Sequence, residues 1–123
     1  MKIDKKIFWT LVVFWSIFIA YYSLVPAEKV PGAETFGTNL LHLPAYFVLS
    51  WLYFNAFGKD SKKSAYYCVI FAFAYGILLE FLQLFTGYRH FSFLDISINF
   101  AGALFAPLFV KGINYGTEKL AHK

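Results

Sequence analysis

Residues 80–99, EFLQLFTGYRHFSFLDISIN, set Glu80, Gln83, Arg89, Asp95 and Asn99 among segments rich in Phe, Leu and Ile. These types permit definite chemistry. Glu80 can act as a general acid or base or hold a polar head group, and burial inside a bilayer would make its charge costly unless paired. Its structural alternative is a hydrogen bond or ion pair with Arg89 or His42. Arg89 can hold an anion or simply snorkel to the interface. Asp95 can assist Glu80, but Ser92-x-x-Asp95 before an apolar run is also a helix-capping pattern. Asn99 and Gln83 read as interhelical hydrogen bonders that hold Glu80 and Asp95 in place. His42 reads as a pocket residue; with Glu80 and Asp95 it could ligate a metal, but nothing in their spacing is diagnostic. No metal and no cofactor is therefore assigned.

Four apolar segments must position these groups. Of the 123 residues, 59% are hydrophobic, 23% aromatic and 15% charged, against roughly 25% charged in a soluble domain. Sixteen Phe and nine Tyr would leave large exposed apolar patches on so small a globule. The pattern predicts one all-α membrane domain over residues 1–123, with helices at about 7–25, 39–57, 65–85 and 93–110. The first run, about 19 residues, reaches roughly 28 Å, enough to span the hydrocarbon core. It is longer than the apolar region of a signal peptide. Two prolines and two glycines in residues 26–37 predict a loop there, Thr38 a cap, and Pro44 a distortion near the start of the second helix. The tail from Lys111 reads as polar and mildly amphipathic.

Nine lysines (2, 5, 6, 59, 62, 63, 111, 119 and 123) flank one side of these segments, and only Lys29 and Arg89 the other. The positive-inside rule then places both termini in the cytoplasm and the first and third loops outside. The net charge of +4 does not point to nucleic acid, because the basic residues sit at segment ends rather than along one face. Cys68 is the single cysteine, so an intramolecular disulfide is excluded.

Helical spacing gathers the polar groups laterally. Ala72, Gly76, Glu80 and Gln83 share a face of the third helix. Asp95, Asn99, Gly102 or Ala103, and Ala106 share one on the fourth; Asn39, His42 and Tyr46 share one on the second. Small residues allow close helix approach, and polar ones are costly in lipid. The three faces are expected to converge on one outward-opening pocket. The starts of the second and fourth helices, with Arg89, His90 and His42 nearby, favour an anion there; Glu80 and Asp95 oppose it unless protonated or paired.

The chain resembles the VanZ-like family of small membrane proteins. The matching pieces are Ser23-Leu24-Val25-Pro26, Asn39-x-x-His42-x-x-x-Tyr46, Glu80-x-x-Gln83, Arg89, Ser92-x-x-Asp95 and Asn99-x-x-Gly102. Their order and spacing, rather than any one motif, carry the resemblance. It implies an integral membrane protein of the cell envelope, in a family named for a glycopeptide (teicoplanin) resistance protein, and supplies no established reaction.

The expected function is binding of an anionic lipid-linked or cell-wall-type ligand by Arg89, Asn39, His42, Tyr46, Glu80, Gln83, Asp95 and Asn99. One alternative is an intramembrane hydrolase or transferase acting on a lipid-linked phosphate or ester, with Glu80 as base and His42 or Asp95 assisting. The other is a structural or accessory membrane subunit. Expected partners are membrane lipid and a lipid-linked or glycopeptide ligand, with no nucleic acid.

Overall fold

A computed structural model describes residues 4–26, 29, 33–58, 63–87 and 93–121, the side chains of 33–39 and 113–121 excepted. Four helices follow one another: α1 (Lys5–Leu24), α2 (Ala33–Phe57), α3 (Ser64–Gln83) and α4 (Phe93–Ala121). No strand occurs among the described residues. Each helix contains a stretch of 18 or more residues long and apolar enough to cross a membrane. The protein is a multi-pass membrane protein with an all-α bundle.

Local chemistry sets most of the boundaries. Asp4 caps α1 by accepting from the Lys6 backbone N–H at 3.0 Å, which meets one of the donors a helix start leaves unpaired. At the other end of α1, Val25 N–H donates to Tyr21 carbonyl, and Pro26 cannot continue the ladder. Gly58, at φ 107°, turns the chain out of α2. The Ser64 hydroxyl donates to the Gly58 carbonyl, closing the turn into α3. After α3 the chain tightens into one 3-10 turn, Leu84–Thr86, which stops at Gly87 with φ 80°.

Two boundaries differ from the sequence expectation. Helix α2 begins at Ala33, so Gly37 and Thr38 lie inside it. Pro44 is therefore an interior proline, not one near the first turn. The helix continues across it, although the ring removes the hydrogen bond that the Leu40 carbonyl would accept. Two prolines and two glycines mark a loop, but the loop closes before Ala33-Glu34, residue types suited to a helix start. Helix α4 likewise runs on to Ala121 rather than ending near 110, since nothing between Lys111 and Ala121 is a proline.

The helices pack in up-and-down order, with α2 in contact with α1, α3 and α4. Gly102 lets α4 approach α2: a Cβ there would lie 2.5 Å from the Leu43 carbonyl oxygen. Ala103 and Ala106, both fully buried, continue that seam. Side chains reach across to neighbouring backbones throughout. Trp15 Nε1 donates to Ala45 carbonyl at 2.8 Å, Tyr75 Oη to Ser16 carbonyl at 2.6 Å, and Ser50 Oγ to Ala103 carbonyl at 2.7 Å. Large apolar side chains such as Phe14, Ile17, Leu78, Phe105 and Phe109 point outward, as expected where lipid tails are the solvent.

Candidate functional site

The deepest buried large side chains are mostly polar. Glu80, Gln83, Asn99 and Tyr46 are each about 1% exposed, and Asp95 is 5% exposed. All lie toward the end of the bundle where α1 and α3 finish and α4 begins. Helical period explains the gathering on α3, where Ala72, Gly76, Glu80 and Gln83 are all buried, as their spacing predicts. On α4 the same holds for Asp95, Asn99, Gly102, Ala103 and Ala106. Helix α2 contributes His42, whose side chain is 11% exposed, and Tyr46 one turn further on.

The imidazole of His42 is the hub. Its Nδ1 lies 2.7 Å from Asn99 Oδ1. With the Asn99 amide in this orientation, its oxygen accepts from Nδ1–H. The opposite nitrogen, Nε2, faces Asp95 Oδ2 at 3.9 Å, beyond direct hydrogen-bonding distance. One ligating atom from each of His42, Glu80 and Asp95 lies within 4.8 Å of the others. The Tyr46 ring lies parallel to the His42 ring, with 6.0 Å between centroids and 5° between planes. Its hydroxyl lies within electrostatic reach of both Glu80 and Asp95.

Gly76 makes room for this arrangement. A Cβ on Gly76 would sit 2.8 Å from Asn99 Nδ2 and 3.1 Å from Tyr46 Cε1. Among the described residues, Tyr46 Oη and Asn99 Nδ2 are buried and have no hydrogen-bond partner. Such groups are uncommon in folded proteins. Glu80 and Asp95 make further interactions of their own.

The roles expected of the supporting amides shift in the structure. Asn99 braces His42 rather than a carboxylate. Gln83 Nε2 donates to the Ser23 carbonyl at 2.8 Å and ties the end of α3 to the end of α1. Ser23 thus joins the site's support through its backbone, for which its side-chain type gives no signal. Glu80 stands three residues before the end of α3, about 4.5 Å along the axis. Asp95 is in the first turn of α4, close to the partial positive charge of that helix start. The start of α2 is nine residues from His42, about 13 Å away along the axis. Only α4 therefore brings its N-terminus to the site. Arg89, His90 and Ser92 lie outside the described residues, as does the side chain of Asn39.

The arrangement joins an imidazole, two carboxylates and a phenol in one buried layer built from three helices. It can exchange protons, hold hydroxyl and amide groups, or ligate a cation. The one cysteine, Cys68, is buried elsewhere, on α3 three turns before Glu80.

A family model described as VanZ/LLP1 matches residues 4–114. No curated protein and no solved structure matches the chain significantly. With nearly the whole chain covered, from the cap of α1 into the last helix, the protein belongs to the VanZ/LLP1 family.

Proposed function

We propose that this VanZ/LLP1-family membrane protein lies in the cell envelope with both termini cytoplasmic. Its polar enclosure opens outward and binds an anionic lipid-linked or cell-wall-type ligand. The observation that carries this reading is the burial of Glu80, Asp95, Asn99, Tyr46 and His42 in one layer. A bundle that needed only to pack could use small apolar residues there at far lower cost in lipid. The distribution of lysines supports the outward direction: Lys5 Nζ comes close to Gly58, at the end of the bundle opposite the polar layer.

In this reading Glu80 and His42 orient hydroxyl or amide groups of the ligand. Arg89 and the start of α4 would hold its anionic part. Equilibrium binding of a labelled lipid-linked phosphate to protein in nanodiscs tests it. Glu80→Gln and Arg89→Ala are each expected to weaken binding by about tenfold or more. Unchanged binding in both variants would sink the proposal.

A second reading, an intramembrane hydrolase or transferase acting on a lipid-linked phosphate or ester, draws support from the position of His42 between Asn99 and Asp95. In its neutral form with Nδ1–H donated to Asn99, His42 presents the lone pair of Nε2 beside Asp95, which suits a group assisting Glu80 as general base. Turnover of a lipid-linked phosphate or ester that is lost in Glu80→Gln, with binding retained, would favour it. Absence of turnover would count against it.

A further inference from the structure

We infer that His42, Glu80 and Asp95 form a binding site for a divalent transition-metal cation of the Zn2+ or Mn2+ class. The ligands come from three helices, α2, α3 and α4, and each offers one atom within 4.8 Å of the other two. Zn–N and Zn–O bonds of about 2.1 Å place tetrahedral ligand atoms about 3.4 Å apart. His42 Nε2 and Asp95 Oδ2, at 3.9 Å, are already near that spacing. The separation is too long for a direct hydrogen bond and suits two groups flanking one ion.

The environment of His42 points the same way. A histidine ligand characteristically donates its other ring N–H to an oxygen that fixes tautomer and orientation. Asn99 Oδ1, 2.7 Å from Nδ1, occupies that place. With the neutral ring so held, the lone pair of Nε2 faces Asp95, where a cation would be received. The buried Tyr46 hydroxyl, without a partner among the described residues, is a second and independent sign. It lies within electrostatic reach of both carboxylates and can donate to an oxygen completing the shell of the ion.

One imidazole nitrogen with two carboxylate oxygens suits Zn2+ or Mn2+. Ca2+ takes six to eight oxygen ligands, and Mg2+ favours carboxylates with several retained waters. Three protein ligands also leave coordination positions open, as in sites where the ion meets a substrate or ligand. The cation would offset the two carboxylates and allow a phosphate to approach them. The site itself stands on the three side chains; only this bridging role rests on the function proposed above.

The test uses the full chain in detergent, stripped with EDTA and then equilibrated with Zn2+ or Mn2+, with bound metal counted by mass spectrometry. About one ion per chain is expected. Glu80→Gln, Asp95→Asn and His42→Ala should each weaken the affinity by about 100-fold, and Asn99→Ala by about 10- to 100-fold. Ser50→Ala, on the α2–α4 seam, should leave it unchanged. No stoichiometric Zn2+ or Mn2+ in the unmodified protein would overturn the inference, as would unchanged affinity in both Glu80→Gln and Asp95→Asn. Retention of Mg2+ or Ca2+ alone would overturn the assigned metal class. Should the variants fail to fold, the melting temperature of the unmodified chain decides: it should rise with Zn2+ or Mn2+ and fall back with EDTA, and no shift would contradict the site. Metal binding without lipid-phosphate binding would uphold the cation site and remove the proposed function. Lipid-phosphate binding that persists in EDTA would remove the bridging role.

Discussion

Where α2 turns into α3, the bundle is held by rings. Phe57 packs edge-on to Trp9, with centroids 5.1 Å apart, and meets Tyr67 at 5.6 Å and Phe71 at 5.4 Å. Tyr53 joins the group from α2, against Trp9 and Phe71. At the opposite end the interior holds an imidazole, two carboxylates, a phenol and two carboxamides. Lipid tails solvate rings about as well as other rings do, so the aromatic end gains little from burial and relies on shape and ring geometry. The polar end buries groups that are costly in lipid. Packing explains the first end. Apolar packing does not explain the second.

Variants that perturb one end at a time test this contrast. The largest expected effect is on ligand binding. Glu80→Gln removes the charge at nearly constant shape and should lower lipid-phosphate affinity by about 1.5–3 kcal/mol, the range for hydrogen bonds to charged groups, read by equilibrium titration. Gly102→Ala comes next, because the added Cβ meets the Leu43 carbonyl on α2. Overpacking of this kind costs about 1–3 kcal/mol. Because Leu43 adjoins His42, chemical unfolding in detergent should show lower stability and titration should show weaker binding together.

Phe57→Ala should act on the aromatic end alone. Loss of its ring contacts is expected to lower stability by about 1–2 kcal/mol, seen in thermal melts, with affinity for the ligand unchanged. The smallest effect belongs to Ser50→Ala. Its hydrogen bond to the Ala103 carbonyl resembles interhelical bonds worth about 0.6 kcal/mol in membranes. A small drop in melting temperature with intact binding is the expected outcome.

Much of the polar end was legible in the sequence, because a helical period turns spacing into a shared face. Steps of four, four and three from Ala72 to Gln83 place those residues on one side of α3, and all four are buried. The composition that demands lipid also implies that Glu80 and Asn99 turn inward. Lateral distances were not legible. His42, Glu80 and Asp95 are separated by 38 and 15 positions, and only the packing of α2 on α3 and α4 brings their atoms within 4.8 Å. The partner of Gln83, a backbone carbonyl on α1, leaves no mark in side-chain types. The early start of α2 was obscured for a different reason. Pro and Gly mark a break strongly, but they do not show how soon a helix resumes, and Gly37 lies within α2.

In the function proposed here the polar layer serves a ligand rather than locking the bundle. Lipid-phosphate titration and thermal melting of nanodisc-embedded Glu80→Gln, beside the unmodified protein, test it most directly. Affinity should fall by about tenfold or more while the melting temperature stays within about 2 °C. Unchanged affinity with a lowered melting temperature would contradict the account and make the polar layer a structural lock.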